Sequence, residues 1–316
     1  MGAESLSLAV VIPAYKARNE IEDVIRRIPK NVPHIIVVDD CCPEHTGQHV
    51  SKRFAGDKRV EVLTNSANRG VGGATKVGFR RALELKVHTV VKVDADGQMD
   101  PALIPDLIRP LLEGEADYSK GNRFTRVSDL KSMPKVRVFG NAGLSFLTKA
   151  SSGYWSVSDP TNGFVAISKS ALESLELEKI SERYFFESDM LFRLGLQGSV
   201  VSEVRMAAHY GAEKSSLSPL KSFFEFSWKH NLNFFKRIMY RHFLREWTLV
   251  TFQLPASLVL LVFGGTLGVS TYLEASERGV PMTAGQITTA SFLTIVGFQL
   301  FLSAVSHDVL SEPKRK

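Results

Sequence analysis

Two stretches of 27 residues without one charged side chain, Trp247–Leu273 and Val280–Ser306, stand near the end of this 316-residue chain. Only Glu274-Ala-Ser-Glu-Arg-Gly279 separates them. A bilayer core needs roughly 20 residues of helix, so each stretch is long enough to cross, and so short a connector turns the pair into a hairpin. Two spans, about 247–273 and 280–306, are therefore expected, with residues 311–316 as a basic tail. Neither span carries an internal charge to line a polar path, which argues against a translocation role.

The segment before the hairpin is equally constrained. Between Lys221 and Glu246, six Lys or Arg face two acids, and Phe223, Phe224, Phe226, Trp228, Phe234, Phe235, Tyr240 and Phe243 are interleaved with them. Basic and aromatic residues beside a span make a membrane-surface segment, with rings at headgroup depth and cations on lipid phosphates. Residues 218–246 are thus expected as interfacial amphipathic helices. Much of the formal charge of +6 is placed here, and no comparable basic patch in the large domain points to nucleic acid. Exposed aromatic helices and a two-helix hairpin also offer faces for lateral association into a homo-oligomer.

Lys236, Arg237, Arg241 and Arg245 precede the first span and Lys314-Arg-Lys316 follow the second, whereas the connector holds one Arg and two Glu. The positive-inside tendency then puts both ends, and the large domain before them, in the cytoplasm. Met1-Gly-Ala-Glu-Ser5 is not basic and the next apolar run stops at Pro13, so no signal peptide is expected. Adjacent Cys41 and Cys42 fit a reducing compartment and are read as structural, since nothing near them completes a metal-ligand pattern.

Residues 1–217 hold enough apolar content for a real core, in a chain 44% hydrophobic and 23% charged, which excludes a disordered tail or a small stapled scaffold. Short apolar runs alternate with amphipathic ones. Leu8–Ile12, His34–Val38, Val60–Leu63 and Thr89–Val93 read as continuous apolar strands, with helices over 20–28 and about 70–85 between them. That is the pattern of a doubly wound α/β domain with a mainly parallel sheet buried on both faces. In such sheets ligands lie beyond the carboxyl ends of the strands, where this chain places Asp39-Asp40 and Asp94-Ala-Asp-Gly-Gln98. Asp94, Asp96 and Gln98 offer hard oxygen ligands suited to Mg²⁺ or Mn²⁺ that substrate phosphates would share. Solvated turn carboxylates would give the same bare Asp-x-Asp pattern. Four carboxylates on one rim, however, repel one another unless a cation or a donor-rich ligand neutralises them.

These residues, with Val11-Ile-Pro-Ala-Tyr15, Asn19-Glu20, Asn68-Arg-Gly70, Gly121-Asn-Arg123, Lys135-Val-Arg137 and Asp159-Pro-Thr-Asn-Gly-Phe164, come in the order of a known family. Over residues 8 to about 218 the chain resembles the inverting family 2 glycosyltransferases of GT-A fold, in the branch of dolichol-phosphate mannose synthases and polyprenyl-phosphate glycosyltransferases. The resemblance implies a Rossmann-like GT-A catalytic domain that moves one hexose from a nucleotide diphosphate sugar, of UDP-glucose or GDP-mannose type, to polyprenyl phosphate. It further implies that Pro13, Tyr15, Glu20 and Asp40 line the nucleotide, and that Asp94, Asp96 and Gln98 form the metal and diphosphate site. Arg123, Arg137 and Asn141 would hold the acceptor phosphate, and Asp159 would stand beside sugar and acceptor; Asp96, Arg123, Arg137 and Asp159 form the implied catalytic set.

Structural alternatives stand beside these roles: core packing for Tyr15, a first-turn charge for Glu20, capping for Asp39 and an ordinary surface charge for Arg137. The chain also departs from the family pattern. Cys41-Cys-Pro-Glu-His45 replaces the usual Gly-Ser-x-Asp, and His209 stands where an arginine is frequent, so that Lys214 is the candidate for that charge on the nucleotide sugar. The Gln-x-x-Arg-Trp motif of processive polysaccharide synthases is absent from the sequence. Glu187 and Asp189 resemble an acidic motif that supplies a base to relatives using hydroxyl acceptors. A phosphate acceptor, with a second pKa of about 6, needs no strong base, so the two are read as positioning groups or helix starters. The competing expectations are transfer to a hydroxyl with Asp189 as base, and a non-catalytic nucleotide-sugar-binding membrane tether.

Overall fold

A computed structural model describes residues 7–124, 135–206 and 219–315, and within these the side chains of 135–139, 141 and 219–223 lie outside the description. Strands β1 (Leu8–Ala14), β2 (His34–Asp39), β3 (Val60–Thr64) and β4 (Thr89–Lys92) alternate with helices α1 (Ile21–Arg27), α2 (Thr46–Arg53) and α3 (Gly70–Glu84). After α4 (Ile104–Leu112) come β5 (Tyr118–Asn122), α5 (Lys135–Ser152), β6 (Val165–Ser168), α6 (Lys169–Ser174), α7 (Phe186–Gln197) and β7 (Val201–Arg205). Among the described residues these strands form one seven-stranded sheet in the order β3-β2-β1-β4-β6-β5-β7. β1 pairs in parallel with β2 and β4, and β6 is antiparallel to both its neighbours.

The apolar runs are continuous because the sheet is covered on both faces. Val10, Ile12, Ile35 and Val37 face Ile21, Val24 and Ile25 of α1 and Leu107 of α4. The alternate residues Ala9, Val11, Ile36 and Val38 pack with Ala74, Phe79 and Ala82 of α3 and with Phe186, Met190 and Leu194 of α7. The period of two in a strand sends neighbours to opposite layers, so an unbroken apolar string feeds two cores. β1 and β4 are neighbours, and the chain leaves the carboxyl end of β1 towards β2 but that of β4 towards β5 on the other side, which opens a crevice between them at the rim.

By contacts the chain divides into two compact units, residues 1–234 with 313–316, and residues 235–312. In the second unit, α9 (Leu249–Glu277) and α10 (Ala284–Leu310) are both long and apolar enough to cross a membrane. They approach closely at small residues: a Cβ on Gly264 would stand 2.8 Å from Thr294 Oγ1, and one on Gly297 would stand 3.0 Å from Leu260 Cβ. The helices begin and end past the charge-free runs. α9 continues through Glu274 to Glu277, and α10 waits for the Thr283–Gln286 capping box, because caps and hydrogen bonds set a helix end while charge sets only its comfort in lipid. Before the hairpin, α8 runs over Pro219–Ile238 and a π-helical stretch over Met239–Arg245. Arg237 and Asp308 form a buried two-pronged ion pair at 2.6 and 2.9 Å, joined by His242 Nε2 at 3.3 Å.

Candidate active site

Two clefts open at the rim. The first, of about 440 Å³, is lined by Pro13–Ala17 at the exit of β1, by Asp40, Asn68 and Gly70, and by Arg183 and Tyr184. The second, of about 380 Å³, is lined by Gln98, Arg123, Asn162 and Glu187 together with Met99, Leu144, Met206 and Phe226. Val71, Asp94, Asp96 and Tyr184 belong to both. The predicted carboxylate pair thus stands at the boundary of the two clefts, the second of which has Met99, Leu144, Met206 and Phe226 on its wall.

The turn after β4 presents the pair. Gly97 adopts φ +73°, and Gln98 N donates to Asp96 Oδ1 at 3.0 Å, which closes a tight Asx turn. Asp94 is held from below. Its Oδ1 accepts from Lys92 Nζ at 2.6 Å, and the same ammonium reaches Gly163 O and Glu187 Oε1, each at 3.3 Å. Burial works against the Lys92 charge, but Asp94 and then Glu187 more than offset it, and its pKa lies above the ordinary lysine value. Gly163 has no room for a side chain: a Cβ there would stand 2.6 Å from Lys92 Nζ and 2.8 Å from Asp94 Oδ2.

Asp39 and Asp40 share this rim, yet both are buried and their oxygens are already occupied. Asp39 accepts from Cys42 N at 2.7 Å and from Gly47 N at 2.5 Å. Asp40 accepts from Asn65 Nδ2 at 2.8 Å, Arg69 N at 2.9 Å and Gly70 N at 2.7 Å, capping α3. The expectation is that a cation or a donor-rich ligand neutralises the four rim carboxylates: for Asp39 and Asp40 backbone N–H groups at the starts of α2 and α3 supply donors, while Asp94 and Asp96 stand on the cleft walls. The Cys41-Cys42 departure is explained by the same turn. Cys41 takes the positive φ of +54° that a glycine would occupy, and Cys42 Sγ accepts from Lys16 N at 3.1 Å while contacting Thr46 Oγ1 at 3.1 Å. Both cysteines are free, and Cys42 is structural.

On the second cleft, Arg123 leaves the end of β5 and lies two-pronged on Asp159, Nε to Oδ2 at 2.8 Å and Nη2 to Oδ1 at 3.0 Å. Asp159 is wholly buried and also accepts from Asn162 Nδ2 at 3.3 Å. Glu203 Oε1 in turn accepts from the backbone N–H groups of Ser158 and Asp159 at 2.9 and 3.0 Å. Asp159 is therefore the support of Arg123 and not itself part of either cleft wall. Lys120, buried behind them and donating to Pro160 O at 2.7 Å, has its pKa pushed down to about 8 by burial, against the opposing pull of Asp159 and Glu203.

Of the residues singled out in the sequence, Pro13, Tyr15, Asp40, Asp94 and Asp96 meet in the first cleft, and Asp94, Asp96, Gln98 and Arg123 in the second. Glu20 is the N-cap residue of α1 and lines neither. The side chains of Arg137 and Asn141, and the whole of Lys214 and His209, lie outside the described residues. Glu187 and Asp189 part company. Glu187 lines the second cleft, while Asp189 is buried and accepts from Ser181 N and Oγ at 2.8 and 3.1 Å.

Lys16, Arg183, Tyr184, Leu144 and Phe226 were not foreseen as site residues. Lys16 and Arg183 flank quoted motifs but belong to none of them, and Leu144 and Phe226 reach the cleft only through helix packing. Among the described residues no group of three or more His, Cys, Asp or Glu is placed to hold a metal. Two carboxylates and an amide fit Mg²⁺ or Mn²⁺ only with phosphate oxygens completing the shell, which is the habit of Mg²⁺.

The profile of "Glycosyl transferase family 2" matches residues 9–176. A UDP-N-acetylglucosamine–dolichyl-phosphate N-acetylglucosaminyltransferase of Methanococcus voltae is 34% identical over 188 residues, 55% of this chain and 74% of the relative. An undecaprenyl-phosphate mannosyltransferase of Micrococcus luteus is 32% identical over 205 residues, 63% of this chain and 82% of that protein. Among solved structures, glucosyl-3-phosphoglycerate synthase from Mycobacterium tuberculosis superposes with a TM-score of 0.53 at 22% identity, covering 73% of this chain and 79% of that one. That likeness bears on the fold alone and agrees with a GT-A sheet. With more than half of its residues inside the matched profile, the chain belongs to glycosyl transferase family 2.

Proposed function

We propose that this glycosyltransferase moves one hexose from a nucleotide diphosphate sugar to a polyprenyl phosphate at the cytoplasmic membrane face, inverting the anomeric carbon. The observation that carries the reading is the pair of clefts meeting at Asp94 and Asp96. A donor in the first cleft and an acceptor in the second would face each other across those carboxylates. The relatives named above are, by their names, transferases to dolichyl or undecaprenyl phosphate, and a lipid phosphate suits a chamber with Arg123 beside Leu144, Met206 and Phe226.

Asp94, Asp96 and Gln98 would hold Mg²⁺ or Mn²⁺ together with the donor diphosphate; bound there, the cation supplies charge stabilisation to the departing nucleotide. Lys92 fixes Asp94 in place before any ligand arrives, so little reorganisation accompanies binding. Arg123, aligned by Asp159, presents a planar fork to the acceptor phosphate. The phosphate oxygen is already anionic and attacks in line without giving up a proton. Asp189 is turned into the protein and engaged by Ser181, which speaks against it as the base of a hydroxyl-acceptor reaction. The apolar wall excludes water from the reacting centre and positions the lipid head, and two apolar helices would keep the enzyme where its acceptor is concentrated.

The test is Asp96→Ala in the full-length protein, assayed with labelled UDP- and GDP-sugars, polyprenyl phosphate and Mg²⁺ or Mn²⁺. Label should enter the organic phase with the wild-type protein and not with the variant. Full turnover by the variant rules out the metal site, and label found only on water-soluble products rules out the lipid acceptor.

A further inference from the structure

We propose that Arg183 is the protein's own cation for the donor diphosphate, a role that rests on the donor reading above and that no sequence motif assigned. Arg183 lies on the short connection between Ile180 and α7, and it lines the same cleft as Asp94 and Asp96. The diphosphate of a nucleotide sugar entering that cleft brings about two negative charges to a wall that already carries the carboxylates of Asp94 and Asp96, so the chamber needs fixed positive charge besides any bound cation. Its described basic lining residues are Lys16 and Arg183. Lys16 Nζ sits over the Tyr15 ring at 5.6 Å, while no described carboxylate forms an ion pair with the exposed Arg183.

The connection is built to present this side chain. Lys76, buried to 1% exposure, donates to Ile180 O at 3.0 Å and pairs with Glu182 Oε1 at 3.2 Å. Arg69 pairs with the same Glu182 carboxylate, and Glu182 O accepts from Gly73 N at 2.8 Å. Ser181 is bound through N and Oγ by Asp189. On both sides of Arg183 the chain is therefore tied down: Glu182 absorbs the neighbouring cations Arg69 and Lys76, and Arg183 O accepts from Phe186 N at 2.9 Å as α7 begins. The stem of Arg183 crosses Gly70, where an added Cβ would meet Arg183 Cγ at 3.0 Å and where φ is +81°. The exposed guanidinium is thus carried by a pinned loop, beside the N-terminal turn of α3. A planar, permanently charged fork matches two phosphate oxygens at once.

The experiment measures binding of UDP, GDP, UMP and GMP to the full-length wild-type protein, Arg183→Gln and Arg183→Lys by calorimetry with Mn²⁺, alongside KM for donor and for polyprenyl phosphate. In Arg183→Gln the diphosphate affinity falls roughly 10- to 100-fold, the loss of a charged hydrogen-bonded pair, while monophosphate affinity and the acceptor KM stay near wild type. Arg183→Lys recovers part of the loss, since charge returns without the fork. Unchanged diphosphate affinity in Arg183→Gln, or an equal fall for mono- and diphosphates, overturns the inference alone. A wild-type protein that binds none of the four nucleotides overturns the donor reading and the inference with it.

Discussion

The guanidinium of Arg123 is held two-pronged by Asp159, a carboxylate with no exposure to solvent. The geometry fixes the plane of the arginine while leaving it on the wall of the second cleft. Asp159→Asn keeps the shape but sets an amide against donors that now lack a charged acceptor. A stability loss of about 2 kcal/mol is expected, in the range of charged hydrogen bonds, together with a raised KM for polyprenyl phosphate and an unchanged KM for the donor. Denaturant midpoints and steady-state kinetics decide it; equal changes in both KM values would show that Asp159 does not act through Arg123.

Gly163 is confined by the Lys92–Asp94 pair. Gly163→Ala would drive a methyl into contacts of 2.6 and 2.8 Å with that pair, and overpacking of this kind costs about 1–3 kcal/mol. Because the displaced atoms include Asp94 Oδ2, sugar transfer should collapse while the folded fraction at assay temperature remains high. Retained transfer with retained stability would mean that the pair yields freely and does not order the site.

Phe226 and Leu144 form the apolar side of the second cleft. Phe226→Ala removes a ring from this wall, and a fall of about tenfold in apparent acceptor affinity corresponds to part of one aromatic side chain's burial. The effect should disappear when a short-chain, water-soluble phosphate replaces the lipid. Equal sensitivity with both acceptors would place the ring away from the isoprenoid.

Lys120 makes stability depend on pH with an unusual sign. Its pKa is pushed down to about 8 in the folded protein, below the value near 10.4 of an unfolded chain. Between those values the unfolded state binds more protons, so this residue's contribution to stability rises with pH through the window. Below the folded value both states are protonated and its burial is a constant penalty. Relative to Lys120→Met, the wild-type protein should therefore gain stability between about pH 8 and about pH 10.4. A difference that stays flat, or falls, would show that the ammonium is not desolvated.

The amino-acid order by itself determined the layout. Four short, mainly apolar runs, two of them ending directly at aspartates, required a sheet covered on both sides with its chemistry at one rim, and two charge-free runs required long apolar helices. Local chemistry of this kind is legible because strand periodicity, turn residues and charge exclusion all act over a few neighbours. β5, β6 and β7 were harder to see. Tyr118–Asn122 contains Lys120 and Asn122, and its strand is stabilised by pairing with residues far along the chain. The roles of Asp39 and Asp40 were likewise open until helix N-termini were seen to take their oxygens. Only tertiary structure decided that Glu187 faces a cleft and Asp189 does not, although they are two residues apart on one helix. Tertiary structure also carried Arg183 and Phe226 to the walls beside Asp94, because a side chain's surroundings are set by which elements pack together, and that packing follows from burying the whole apolar surface at once.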